Sequence, residues 1–202
     1  RLLSTRTPGS EPVFPNMELL LRDKCHASRK LTSRPWAADP NINRVLETYI
    51  TGKDSIVHLI QYSPDMSKTF EGYVAGIDDC PISGGRLRNL QYAKQRYDST
   101  SKPIGRWVLY LDAVWATAVS IMATRAGREP ARRARRFLET VTAEDVLLIA
   151  MVADCGHECL SLTRVFDSES YDVCAISDAL TELVHKLDVL FLQKAAQGLN
   201  MH

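Results

Sequence analysis

The stretch Cys155-Gly156-His157-Glu158-Cys159 carries residue types that bind metals and move protons. Cys155 and Cys159 are one helical turn apart and can share a face, whereas His157 points elsewhere on a helix. Structural zinc takes four ligands, and no second Cys or His pair of suitable spacing accompanies this one. His157-Glu158 also lacks the second histidine of a zincin helix. The pair reads as buried structural thiols, and neither a metal nor a cofactor is expected. With Cys25, Cys80 and Cys174 the chain has five cysteines, an odd number without a repeated spacing. That is no disulfide framework.

The remaining reactive side chains fall into no catalytic pattern. Ser83-Gly84-Gly85-Arg86 has adjacent glycines before a helix, but a phosphate loop needs a preceding strand and a Lys followed by a hydroxyl residue. Asp78-Asp79 is a carboxylate pair with no companion, and no Ser sits in a nucleophile elbow. No catalytic residue is expected, and the chain does not read as an enzyme.

The basic cluster is the strongest chemical signal. Arg128, Arg132, Arg133, Arg135 and Arg136 fall within little more than two helical turns. Such a patch attracts phosphates, on nucleic acid or on anionic phospholipid. Readers of nucleic acid interleave aromatics for stacking, and only Phe137 is near, so nucleic acid is not expected. The flanking segments are the most apolar in the chain, which favours anionic phospholipid or an acidic protein partner. The bland alternative is a solvated arginine face making local ion pairs.

These residues need helices to position them. Periodicity predicts helices over about Asn43–Ile50, Lys53–Tyr62 with Pro64 disturbing its end, a segment capped by Ser83, and Ile104–Ala126 ending at Gly127. Pro130 suits the first turn of a helix carrying the arginines. Thr142 caps an apolar helix whose first acids, Glu144 and Asp145, favour its positive end. Ser168 or Ser170 starts a last helix with Leu180, Leu183, Val184, Leu187, Leu190 and Phe191 at spacings of three and four, ending at Gly198. That stripe reads first as intramolecular core and second as an oligomer seam. Phe70 to Gly85 reads as loose. No alternating strand pattern appears. The expected fold is all-α, a multi-helix amphipathic bundle over residues 41–202 with an extended basic arm over residues 1–40.

In the arm, Pro8, Pro12, Pro15, Pro35 and Pro40 leave only Met17 to Cys25 able to turn helical. Arg1 and Arg6 precede the first acid, Glu11, among several hydroxyls, as in the flank of a mitochondrial transit peptide. Arms of this composition stay unstructured unless a partner holds them, so contact with neighbouring subunits is expected. A membrane span needs about 20 apolar residues. Trp107–Ala123 falls short and carries Asp112, and Val146–Ala153 is shorter still, so neither reads as a solitary span.

Gly52-Lys53-Asp54-Ser55-Ile56-Val57-His58-Leu59-Ile60-Gln61-Tyr62 interrupts one amphipathic pattern and starts another. It resembles the signature of the peroxin-eleven family of peroxisomal membrane-elongation proteins, where Gly-(Arg/Lys)-Asp joins two amphipathic helices and Gln-Tyr follows. Ile82–Lys94, Leu109–Ala116 and Ser177–Gly198 resemble further family stretches in the same order, so the likeness covers about Val45 to Gly198. It implies an all-helical, non-catalytic, membrane-associated protein whose amphipathic helices insert into one leaflet, often as oligomers. On that likeness Gly52, Lys53, Asp54, Gln61 and Tyr62 form a helix joint that lets both apolar faces rest on one surface. The shortened helix before Pro64 and the arm depart from the family.

Two functions are therefore expected. The first is a structural accessory subunit of a mitochondrial inner-membrane complex, in the respiratory chain or ATP synthase, with its arm along other subunits. The alternative is a membrane-elongation and division factor of the peroxisomal membrane.

Overall fold

Asp39 caps the helix that begins at Pro40. Its carboxylate accepts from the backbone N–H groups of Asn41 and Ile42, both at 2.9 Å. Pro40 takes the first position, where its missing N–H costs nothing. In the computed structural model, residues 24–77, 90, 101–166 and 173–193 are described. Among them the chain is helical, without a strand, as the periodicity predicts.

The elements are α1 (Lys24–Ala38), α2 (Pro40–Leu46) running into a π turn at Glu47–Thr51, α3 (Ile56–Gln61) and α4 (Pro64–Ala75). Then come α5 (Ser101–Leu109), α6 (Leu111–Thr124), α7 (Glu129–Thr140), α8 (Ala143–Phe166) and α9 (Val173–Asp188), which ends in a second π turn at Val189–Gln193. The Ser83-capped helix, Asp78-Asp79 and the residues 1–23 of the arm lie outside the described residues.

Several boundaries depart from the sequence reading. Pro64 does not merely disturb a helix end; it opens α4, with Ser63 before it, so the stretch read as loose is helical as far as Ala75. The expected single helix from Ile104 to Ala126 is broken at Tyr110 and bends by 77° between α5 and α6. Neither Gly nor Pro marks that break. It comes from two buried aromatics three residues apart with different partners. Trp107 stacks on Tyr49 and meets Phe137, while Tyr110 meets Phe70 of α4 edge-on with ring centroids 6.2 Å apart. Gly127, at φ 76°, stops the α6 end as expected.

The arm is the largest correction. Residues 24–38 are helical in spite of Pro35, and they are not extended. Trp36 is buried, and α1 packs on α8 and α2. The helix approaches where α8 has no side chain: a Cβ on Gly156 would stand 3.1 Å from the Trp36 ring.

The long helix α8 is the centre, touched by α1, α2, α5 and α9. Its stretch Ala143–Val165 has mean hydropathy 1.5, so it is long and apolar enough to cross a membrane, unlike the shorter run read from sequence. Here it serves as the core post, with Ile149 and Val152 buried in the main cluster and Cys159 and Leu162 meeting Leu183 of α9. The α9 stripe is only half covered: Leu183 is buried, whereas Leu180 and Val184 are exposed.

Candidate functional site

The π turn at Glu47–Thr51 explains the glycine at the joint. Gly52 donates its N–H to the Glu47 carbonyl at 3.0 Å, and a Cβ on Gly52 would stand 2.2 Å from that oxygen. Its φ is −71°, so the requirement is close approach of backbone and not a left-handed conformation. The chain then turns through Lys53 and Asp54. Ser55 caps α3 by accepting from the His58 N–H at 3.1 Å and donates its own hydroxyl to the Ile50 carbonyl.

The two apolar faces that meet at this joint do rest on one surface, but that surface is the protein interior. Val45, Leu46, Tyr49 and Ile50 before it and Ile56, Val57, Leu59 and Ile60 after it are all buried. The expectation that the two halves lie together on a bilayer is therefore corrected for this conformation. Burial of eight such side chains stabilises the core by about 1.5–3 kcal/mol each against exposure. Gln61 is half-buried, while Tyr62 stays exposed with its ring 4.3 Å from that of His58.

The structure brings the joint and one member of the arginine cluster together. An Arg133 Nη atom lies 3.0 Å from Asp54 Oδ1, another donates to the Lys53 carbonyl at 3.1 Å, and Nε reaches Glu129 at 3.4 Å. Arg133 is thus committed to holding α7 against the start of α3, and it is not part of a free phosphate-binding face. Burial, and then the Arg133 charge, push the nearby His58 imidazole below its ordinary range.

The other four arginines behave differently. Ala131, Ala134 and Phe137 turn one side of α7 into the core. Arg128, Arg132, Arg135 and Arg136 recur at spacings of three and four on the exposed side. Arg132 pairs with Glu129 at 2.7 Å and holds that carboxyl below its usual range. Arg128, Arg135 and Arg136 make no ion pair among the described residues. Glu139 shares this face, so it keeps a surplus of positive charge. Pro130 lies in the first turn of α7, as expected.

A polar cluster that sequence reasoning missed ties α2 to α8. Asp145, 5% exposed, accepts from the Tyr49 hydroxyl at 2.7 Å and from Arg44 at 2.6 Å. The Thr142 hydroxyl caps α8 by accepting from the Asp145 N–H at 3.1 Å. Burial pushes the Asp145 carboxyl up, but its bonds from Arg44 and Tyr49 and the Arg44 charge outweigh this and leave it below its ordinary range. Burial and the Asp145 bond push the Tyr49 phenol up. The sequence signal was an acid beside a helix cap, which alone reads as a dipole partner.

Cys155 and Cys159 lie one turn apart on α8 and share a face, as expected. Cys159 is buried and Cys155 half-buried, and the neighbouring Cys155 thiol and burial push the Cys159 thiol up. His157 is exposed on another side. Among the described residues no three His, Cys, Asp or Glu side chains gather as metal ligands. The groove between α8 and α9, of about 200 Å³, is lined by Glu158, Leu162, Leu183 and Lys186; Lys186 pairs with Glu158 across it at 3.6 Å and with Glu182 of its own helix at 2.9 Å. This is ordinary helix-to-helix ion pairing.

Neither a family model, nor a curated protein, nor a solved structure matches the chain.

Proposed function

We propose that the protein is a non-catalytic helical scaffold that lies against an anionic membrane surface through the outer face of α7. It serves as an accessory subunit of a mitochondrial inner-membrane complex of the respiratory-chain or ATP-synthase kind. The observation that carries this reading is the exposed set Arg128, Arg132, Arg135 and Arg136, of which three have no carboxylate partner among the described residues. Phosphate oxygens satisfy guanidinium forks well, and each arginine near an anionic surface contributes about 1 kcal/mol. Arg133 takes no part in this contact, because Asp54 and the Lys53 carbonyl already hold it.

One observation favours the second reading, a membrane-elongation factor of the peroxisomal membrane. Residues 24–38 of the arm pack on the chain's own α8 instead of leaving it for a neighbour. The burial of both joint faces weighs the other way, since no leaflet-inserting face is offered by α3 in this conformation.

Purification of the native protein in mild detergent separates these. The subunit reading requires stoichiometric co-migration with other polypeptides of a mitochondrial complex, cross-linked to residues 1–23. Recovery as a self-associated species from peroxisomal membranes would replace it by the second.

A further inference from the structure

We infer that Cys155 and Cys159 form a two-thiolate site for one soft monovalent cation, copper(I) in class. This site is independent of the α7 arginines and belongs to the α8–α9 pair. Cys159, 5% exposed, packs with Leu162 and with Leu183 of α9, and Cys155 joins the same cluster beside Ala179 and Leu187. Cys155 is only half-buried, so the pair is open to solvent at one end. The rest of the cluster is hydrocarbon, which offers nothing to a hard cation.

Ligand number and type choose the ion. Zinc takes four ligands, and calcium and magnesium take oxygens. Among the described residues no group of three His, Cys, Asp or Glu could hold an ion. Thiolates select copper(I), which is satisfied by two sulfurs in line. Helix geometry sets the Cβ atoms of such a pair about 5–6 Å apart, wider than the about 3.5–4.5 Å of a disulfide. An ion held by two metal–sulfur bonds of about 2.3 Å each spans that gap without bending α8. Binding forms two S–Cu bonds and releases both thiol protons, so the filled site carries one net negative charge. Lys186, 3.6 Å from the Glu158 carboxylate that precedes Cys159, places a cation at the edge of the cluster. The neighbouring thiol already holds Cys155 below its ordinary range, which eases the first proton loss.

The test titrates the reduced full chain with copper(I) under argon, against the chromophoric chelator bicinchoninate. Cys25→Ser, Cys80→Ser and Cys174→Ser together remove the other thiols. That chain should bind one copper(I), with two sulfur neighbours at the copper K-edge and weaker binding as pH falls. Adding Cys155→Ser or Cys159→Ala should lower affinity at least about a hundredfold. Unfolding midpoints without copper show that each variant folds, and Cys155→Ser decides alone if the buried substitution does not. Phenylarsine oxide, which bridges two adjacent thiols, reads the geometry without copper: one adduct before either substitution and none after. Failure to compete with the chelator, affinity that survives Cys155→Ser, or nitrogen and oxygen neighbours at the edge would each overturn the inference. An arsenical adduct without copper binding overturns it too, and leaves the pair as structural thiols.

Discussion

Arg133 and Asp54, 79 residues apart in sequence, meet at 3.0 Å and fasten the arginine helix α7 to the start of α3. This contact divides the arginine cluster into one residue that holds the fold and four that face outward. Arg133→Gln is expected to lower unfolding free energy by about 1 kcal/mol, the upper end for such a pair, because it also strips a donor from the Lys53 carbonyl. Arg136→Gln should change it by less than about 0.5 kcal/mol. Urea denaturation of the two variants checks the difference. A charge-reversal series that includes Arg133 would confuse loss of fold with loss of binding.

The joint makes a sharp steric demand. Gly52→Ala places a Cβ 2.2 Å from the Glu47 carbonyl, a backbone atom that cannot swing aside. A loss of about 2 kcal/mol or more is expected. Gly72 of α4 is the control, since a Cβ there meets nothing within 4 Å. Gly72→Ala should stabilise by about 0.5–1 kcal/mol through helix propensity. Equal behaviour of the two variants would contradict the account of the joint.

Asp145 sets an acid limb. Its folded-state pKa lies below the unfolded value, so its contribution to stability is fully present above about pH 4, the unfolded carboxylate range. That contribution is lost as pH falls through the lower folded-state value. Asp145→Asn should cost about 1–3 kcal/mol at pH 7 and flatten the decline of stability below about pH 4. Tyr49→Phe should cost about 1–2 kcal/mol at pH 7, by leaving one buried carboxylate oxygen without its donor. Denaturation midpoints measured from pH 3 to pH 7 check both.

The anchoring of α1 is equally testable. Gly156→Val would thrust a branched side chain into Trp36 and Ser101, which already lie 3.1 Å from where a Cβ would sit. Proteolysis should then cut within residues 24–38 much faster than in the parent, while the α6–α7 pair keeps its protection.

Much of the frame was legible because its signals are local. Gly127 ends α6, Pro130 opens α7 and Thr142 caps α8, each through backbone rules that act within one turn. What sequence reading missed is tertiary. The bend at Tyr110 has no breaker residue and follows from the separate partners of Trp107 and Tyr110. Arg133 looks like its neighbours until Asp54 arrives from another helix, and Arg44 reaches Asp145 across 101 residues. An apolar face on α3 cannot declare from spacing alone whether it will meet lipid or its own core. Trp36, set among prolines and charges, gave no periodic signal, yet it anchors α1.

The most direct test of the central claim is sedimentation with phosphatidylcholine vesicles and with mixed phosphatidylcholine and phosphatidylglycerol vesicles at low and high salt. The parent should bind only the anionic vesicles, more weakly as salt rises. Replacing Arg128, Arg132, Arg135 and Arg136 by Gln should weaken binding a hundredfold or more, at about 1 kcal/mol per arginine, with the midpoint of unfolding unchanged. Binding that ignores lipid charge, or that survives the loss of these four side chains, would contradict the account.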